Sequence, residues 1–118
     1  MAETFRLPAQ AIGTELPAQR QAITPRRAMA YAAGIGSERA CYFSGPSGLV
    51  APGLVASLEW PLVNGAAYRA ALGASQEQME RAIHVRQTTL FRRPLKLGQV
   101  VETSGRIVAM RETRKGVL

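Results

Sequence analysis

The sequence predicts a single α+β domain, and three observations lead to this prediction. Its 118 residues suffice for one packed core but not for two. Helix-start signals and helical apolar spacing occupy the middle of the chain, whereas β-branched alternation and a turn motif occupy the last third. The 47% hydrophobic and 19% charged fractions are those of an ordinary globular protein. We therefore expect helices packed against an antiparallel sheet.

The first part of the chain carries one extended segment and the clearest helix signal. Ile12 to Ile23 is a candidate first strand. Thr24 is a favourable N-cap, and Pro25 follows at the first helical position, where its missing N–H costs nothing. Gly34 and Gly36 end the predicted helix. Its expected apolar face consists of Ala28, Tyr31, Ala32 and Ile35.

The middle of the chain predicts a loop and three further helical segments. Cys41 to Ala51 contains several glycines and a proline and is predicted as a loop, with Cys41 a small packing residue. A helix opens near Pro52 and is disturbed at Pro61. Asn64 to Gly73 is alanine-rich and helical, and Ser75 to Gln78 has the pattern of a capping box. The core residues expected on the Pro52 helix are Leu54, Leu58, Trp60 and Leu62.

The last third of the chain has the character of strands. Ile83 to Phe91 is rich in β-branched and aromatic residues with partial alternation. Val100 to Met110 predicts a second strand that is buried on both sides, with a bulge at Gly105. Thr113 to Gly116 reads as a hairpin turn, and Val117-Leu118 as the start of another strand.

The charge balance bears on partners and compartment. The net charge is +7, and almost all of the basic residues are arginine, whose planar fork suits phosphate. Such a surface attracts nucleic acid, the phosphates of coenzyme A or an acidic carrier protein, although a solvated basic surface explains it equally well. Cys41 is the single cysteine, which excludes an intrachain disulfide and favours a cytoplasmic location. We expect no membrane span and no signal peptide.

Several classes of catalytic site are excluded by what the chain lacks. It contains no aspartate, and His84 and Cys41 are its single histidine and cysteine. A zinc site needs three or four His, Cys or carboxylate ligands, so no metal is expected. A Ser-His-Asp arrangement cannot form, and no glycine-rich phosphate loop is present. The sequence therefore predicts no cofactor and makes independent catalysis doubtful.

Two segments, taken together, resemble the MaoC-like acyl-CoA hydratase/dehydratase family. Residues Ile23 to Gly36 resemble the first helix of the family, with a Thr-capped start and a Tyr-Ala-x-Gly tail. Residues Ile83 to Gly98 resemble the "His-x-x-Gln … Arg-Pro-Leu … Gly" signature of its N-terminal hydratase domain. The resemblance implies a hot-dog fold, in which an antiparallel sheet wraps around a central helix. Val50 to Val63 occupies the place of that helix.

The resemblance also implies that this chain is inactive by itself. Catalytic members carry a Gly-Asp-x-Asn-Pro-x-His stretch after the first helix. When the glycine of this stretch is aligned with Gly36, its aspartate corresponds to Ser37 and its histidine to Tyr42. Bacterial-type hot-dog dehydratases instead pair a histidine with a glutamate on the central helix. Glu59 is the nearest counterpart of that glutamate here, but it is out of register and no histidine precedes it. General acid–base chemistry needs a titratable pair, so no catalytic residue is predicted. The closest resemblance is to the non-catalytic N-terminal halves of two-domain hydratases.

The remaining site residues follow from the "His-x-x-Gln" motif. The resemblance implies that His84 and Gln87 line the substrate cleft. A structural histidine at a strand start is the alternative for His84. Arg86 is added to these substrate-binding residues, because Arg86, Arg92 and Arg93 are candidates for contact with coenzyme A phosphates, but a solvated strand edge is the simpler interpretation for all three arginines.

The leading hypothesis is thus a non-catalytic hot-dog subunit or domain that shapes an acyl tunnel. Its ligand would be an acyl-CoA or acyl-carrier thioester, and it would form a homodimer or a heterodimer with a catalytic hot-dog partner. The alternatives are an acyl-CoA-binding or assembly module without hydratase activity and, less favoured, a nucleic-acid binder. Because the family's sheet continues past Leu118, we expect an incomplete hot-dog over residues 1–118 with an open helix face. That face contains Leu54, Leu58 and Leu62.

Overall fold

The computed structural model describes residues 8–43, 48–114 and 116–118. It confirms a mixed α+β fold, with four helices, four strands and short antiparallel sheets within this described part. The strands are β1 (Glu15–Ala22), β2 (Val100–Arg106), β3 (Glu112–Thr113) and β4 (Gly116–Val117). The helices are α1 (Pro25–Gly34), α2 (Val55–Val63), α3 (Ala66–Leu72) and α4 (Gln76–Glu80).

The chain divides into two compact units, each described below by itself. Unit 1 comprises the described residues up to Ala18 together with Pro61–Gln87 and Ser104–Leu118. Unit 2 comprises Gln19–Trp60 and Thr88–Thr103.

Strands β1 and β2 form a two-stranded antiparallel sheet. At its end in unit 1, the Ile107 N–H donates to the Thr14 carbonyl at 3.0 Å and the Gly13 N–H to the Ile107 carbonyl at 2.6 Å. At its end in unit 2, the Ile23 N–H donates to the Gln99 carbonyl at 2.8 Å. The start of each strand therefore lies beside the end of the other. Of the extended segment predicted from Ile12 to Ile23, Glu15–Ala22 is confirmed as a strand, whereas Ile12 and Gly13 form a turn.

Helix α1 begins and ends where the sequence predicts. The Arg27 N–H donates to Thr24 Oγ1 at 3.2 Å, so Thr24 is the N-cap and Pro25 the first helical residue. Gly36 follows the helix with φ of 70°, a left-handed conformation that glycine adopts without strain. Ala28 and Ala32 are buried, but Ile35 is 58% exposed, so its place on the apolar face was predicted wrongly. Ile35 lies past the last helical turn, where the helical periodicity no longer applies.

Unit 2 has a small aliphatic core between α1, α2 and the strand ends. Its buried members are Ile23, Ala28, Val50, Leu54 and Leu58. Half-buried side chains pack against this cluster from both segments of the unit: Tyr31, Leu95, Leu97 and Val101.

The expectation of an open face on α2 is wrong. Leu54 and Leu58 are each 1% exposed, because the core of unit 2 covers them. Leu62 is 6% exposed and lies in unit 1. A Cβ placed on Gly105 would lie 3.6 Å from the Cδ1 atoms of both Leu62 and Leu16, so these leucines meet over the glycine.

Two other core expectations also fail. Trp60, predicted in the core, is 56% exposed, because it lies on the opposite face of α2 from Leu58 and Leu62. Cys41, predicted as a packing residue, is exposed in a short 3-10 turn over Ala40–Tyr42.

The rest of the predicted loop contributes a bridge between Leu49 and Lys96, and residues 44–47 lie outside the described part.

The predicted strand from Ile83 to Phe91 is the largest correction. No residue between 82 and 91 belongs to a strand in the described structure, and all of them are exposed. Ile83 is 82% and Val85 65% exposed. Composition favours an extended backbone here, but a strand requires a neighbour to pair with. None of the described strands pairs with this segment.

Strand β2 is shorter and more one-sided than predicted. It ends at Arg106 rather than continuing to Met110, and its residues alternate between exposed and half-buried. Val100 is 58% and Val108 77% exposed, so burial on both sides was predicted wrongly. The alternation continues unbroken through Gly105, which excludes the predicted bulge.

The remaining local predictions are confirmed in unit 1. Ser75 Oγ accepts from the Gln78 N–H at 3.2 Å while Gln78 Oε1 accepts from the Ser75 N–H at 2.8 Å, which completes the capping box of α4. The predicted hairpin pairs Thr113 with Gly116 and Glu112 with Val117.

Candidate functional site

The three residues predicted to bind substrate lie on the exposed segment between residues 82 and 91. His84, Arg86 and Gln87 all belong to unit 1 and are all exposed. The His84 ring places Nε2 3.0 Å from the Arg86 carbonyl oxygen, so with Nε2 protonated it donates to that oxygen. Neither of the two cavities described below is lined by them. The fold brings His84 and Arg86 together locally through this contact.

The positions that correspond to catalytic residues of the resembled family lie in unit 2 and are taken up by backbone contacts. The Ser37 N–H donates to the Ala32 carbonyl at 2.9 Å, and Ser37 Oγ accepts from the Arg39 N–H at 3.4 Å. Tyr42 ends a 3-10 turn, half-buried. Neither the serine hydroxyl nor the tyrosine ring is part of a carboxylate–imidazole pair, since unit 2 contains no histidine and the chain no aspartate.

Other catalytic arrangements find no support among the described residues. Glu59 is half-buried on α2, in a unit without histidine. No three His, Cys, Asp or Glu side chains of the described part converge as metal ligands. In that same part, no helix has the length and apolar character that a bilayer crossing requires.

A cavity of about 320 Å³ opens on the surface of unit 2. It has an apolar part, formed by Val50, Pro52 and other residues, and two adjacent cations, Arg92 and Arg93. The complete lining is Val50, Pro52, Phe91, Arg92, Arg93, Pro94 and Leu95. An apolar recess with a few polar or charged groups in its lining is typical of small-ligand sites.

A second cavity, of about 300 Å³, lies between α3 and α4 in unit 1. Two hydrogen bonds link its polar side chains: Arg69 Nη1 donates to Gln76 Oε1 at 2.8 Å, and Gln76 Nε2 donates to Glu80 Oε1 at 3.1 Å. This chain of hydrogen bonds connects the two short helices. Because Gln76 holds both Arg69 and Glu80, the cavity is better explained as part of that helix pair than as a ligand site.

A half-buried polar network in unit 2 was missed by sequence reasoning. Arg27 Nη2 donates to Gln21 Oε1 at 3.0 Å, to the Ser57 carbonyl at 3.1 Å and to Ser57 Oγ at 3.2 Å. Gln21 Nε2 donates to the Leu58 carbonyl at 2.8 Å. Pro61 has no N–H for the carbonyl four residues earlier, which belongs to Ser57. The sequence feature that could have predicted this network is Pro61, because a proline inside a helix leaves one backbone carbonyl that needs another donor.

Comparisons with protein-family models, curated proteins and solved structures found no match to this chain. The case for its function therefore depends on its own residues.

Proposed function

We propose that this chain is a non-catalytic hot-dog subunit of an (R)-specific enoyl-CoA hydratase or 3-hydroxyacyl thioester dehydratase. In this role it shapes the acyl and pantetheine tunnel beside a catalytic hot-dog partner. The sequence supports the family through two motif segments in the family's order. The α+β fold is compatible with it, since α2 buries its leucines and β1 and β2 are antiparallel.

The observation that carries the subunit role is the exposure of the motif-bearing segment. Ile83 and Val85 have side chains typical of strands, yet they are 82% and 65% exposed. Exposed strand-forming segments are surfaces on which another chain adds a strand. A partner that covered Ile83 and Val85 would also lie next to His84 and Gln87, which are the residues of the "His-x-x-Gln" motif.

The absence of catalysis in this chain follows from its side chains. Hydration of an enoyl thioester needs one group to activate water and another to deliver a proton. Ser37 and Tyr42, at the corresponding positions, provide no such pair, and His84 contacts a backbone carbonyl. The chemistry is therefore assigned to the partner.

The experiment combines the purified chain with a catalytic MaoC-like subunit encoded in the same genome. We expect a complex by size-exclusion chromatography with light scattering, and hydration of crotonyl-CoA that exceeds that of the partner alone. Ile83→Glu with Val85→Glu should weaken the complex by about tenfold or more, because two charges would be buried. Val108→Glu is the matched control, since Val108 is equally apolar and 77% exposed in the same unit.

The outcomes separate this proposal from its alternative. Equal weakening by Val108→Glu, or the absence of a complex, would argue against the subunit role. Binding of acyl-CoA without any complex would favour the alternative, an acyl-CoA-binding or assembly module without hydratase activity. The cavity next to Arg92 and Arg93 gives that alternative its specific support.

A further inference from the structure

The stretch from Arg81 to Gln87 in unit 1, called the basic segment below, carries positive charge and no carboxylate. All of its residues are exposed. Its two arginines are Arg81 and Arg86, and neither takes part in an ion pair within the described part of the chain. The nearest carboxylate before it belongs to Glu80, the last residue of α4, which accepts a hydrogen bond from Gln76 at 3.1 Å. The next carboxylate along the chain is that of Glu102.

The basic segment also exposes apolar side chains that suit a strand. Ile83 is 82% and Val85 65% exposed. Within the described part of the chain, the backbone of neither residue forms a hydrogen bond. β-branched residues favour an extended backbone, and an exposed extended segment can accept a strand of another chain. The partner must therefore match two apolar side chains within a positively charged surface.

A second copy of this chain matches that surface poorly. If the basic segments of two copies pair with each other, every register sets the arginines of one against arginines or neutral residues of the other, because the segment has no carboxylate. Like charges on opposing strands destabilise the pair. The net charge of +7 on each chain adds repulsion at longer range. The charge pattern thus favours a partner of different sequence.

The apolar residues favour protein over nucleic acid as the partner. Phosphates would attract Arg81 and Arg86, but proteins that bind single strands also stack the bases on aromatic side chains. The basic segment contains no phenylalanine, tyrosine or tryptophan. A protein strand in which apolar and acidic residues alternate can cover Ile83 and Val85 and also place carboxylates near the arginines.

We propose that the basic segment binds an acidic strand from a protein chain of different sequence. The bound strand lies against Ile83 and Val85 and presents carboxylates to Arg81 and Arg86. The proposal rests on the subunit role in one respect, namely that a partner chain covers this segment. It adds the sign of the partner's charge, and it excludes a homodimer through this surface.

The probes are three synthetic peptides of about eight residues, the length of a typical strand, titrated into the isotope-labelled full chain and followed by NMR. The first alternates valine with glutamate, the second valine with lysine, and the third glycine with glutamate. We expect the valine–glutamate peptide to bind at least about tenfold more tightly than either of the others and to shift the amide signals of Ile83 and Val85. The lysine peptide has the wrong charge, and the glycine peptide lacks the apolar side chains.

Variants locate the surface. Arg81→Gln with Arg86→Gln should lower the affinity for the valine–glutamate peptide by about fivefold, as expected for the loss of two exposed ion pairs. Arg111→Gln with Arg114→Gln is the matched control, because it removes the same charge from two other exposed positions of unit 1. This control should change the affinity by less than about twofold. Circular dichroism of each variant verifies that the fold is retained.

Four results would overturn the proposal. The first is an equal loss of affinity in both double-arginine variants, which would indicate a diffuse basic surface. The second is the absence of a preference for the valine–glutamate peptide over the other two, including the case in which none binds at millimolar concentration. The third is tighter binding of a single-stranded oligonucleotide than of that peptide. The fourth is a wild-type dimer in sedimentation that Ile83→Ser with Val85→Ser abolishes, which would assign the surface to a second copy.

Failure of the hydratase assignment gives a different result. If the valine–glutamate peptide binds as expected but the catalytic MaoC-like subunit forms no complex, the acidic partner is upheld and the hydratase role is rejected. If that subunit forms a complex through Ile83 and Val85 while the peptides show no charge preference, the hydratase role is upheld and the acidic partner is rejected.

Discussion

The hydrogen bond between Arg27 and the Ser57 carbonyl leads to a quantitative prediction about α2. Pro61 lies within the helix and supplies no N–H to Ser57. Arg27 Nη2 donates to the Ser57 carbonyl instead, at 3.1 Å, and also donates to the side chains of Gln21 and Ser57. We expect Arg27→Met to lower the free energy of unfolding, because methionine keeps the apolar stem but removes these donors.

The magnitude follows from what Arg27→Met leaves behind. A half-buried carbonyl without a donor costs about 1–3 kcal/mol. If Pro61 is first changed to alanine, the new N–H at position 61 can donate to the Ser57 carbonyl. In the Pro61→Ala background, Arg27→Met should therefore cost about 1 kcal/mol less than in the wild type. This coupling is the difference between the two Arg27→Met effects, so it is the same whether Pro61→Ala by itself stabilises or destabilises the protein.

Urea unfolding followed by circular dichroism gives the four free energies of this double-mutant cycle. Arg26→Met is the matched control, because Arg26 is exposed on the same helix and should change stability by less than about 0.5 kcal/mol. If Arg27→Met costs the same with and without Pro61, the carbonyl is not what Arg27 satisfies, and the reasoning is refuted.

Two further predictions concern single contacts. Thr103 Oγ1 is buried without a hydrogen-bond partner in the described structure. Thr103→Val should therefore raise the free energy of unfolding, measured in urea, by about 1 kcal/mol. A loss of stability would show that the hydroxyl has a partner. A Cβ on Gly65 would lie 2.6 Å from the Pro61 carbonyl oxygen, so Gly65→Ala should destabilise unit 1 by about 1–3 kcal/mol in thermal unfolding. Gly34→Ala is its control, because that position has open space and a helical backbone, and alanine there should be neutral or stabilising by up to about 1 kcal/mol. Similar losses in both glycine variants would contradict the clash.

The parts of the fold that could be predicted are those that local chemistry determines. Thr24 caps α1 with its own side chain, and Ser75 caps α4 in the same way, so neither needs a distant partner. The hairpin from Thr113 to Gly116 is also local, since the residues that pair in it lie close together in sequence. The helical spacing of Leu54 and Leu58 correctly predicted one buried face.

The errors arise where a partner distant in sequence decides the structure. Ile83 to Phe91 has strand-forming residues, but strand formation depends on a neighbour that no local pattern specifies. Trp60 is large and apolar, yet the face of α2 on which it lies decides its exposure. The network of Arg27 was missed because it joins residues 30 positions apart in sequence.

For the candidate site, sequence reasoning identified residue types better than their arrangement. Composition alone shows that the chain has no aspartate and a single histidine. Arg92 and Arg93 were noted for their charge, but the cavity that they share with Val50 and Pro52 requires the folded chain. His84 and Gln87 share a motif, but neither residue lines either of the two cavities described above.

The measurement that tests the central claim most directly is the hydration of crotonyl-CoA by the purified chain alone. The claim is that the chain has the architecture of a hydratase subunit without its acid–base pair. We therefore predict a rate indistinguishable from that of buffer across the neutral pH range, for the wild type and for His84→Ala alike. Turnover well above the buffer rate in the wild type that is lost in His84→Ala would contradict the claim and identify His84 as a catalytic base.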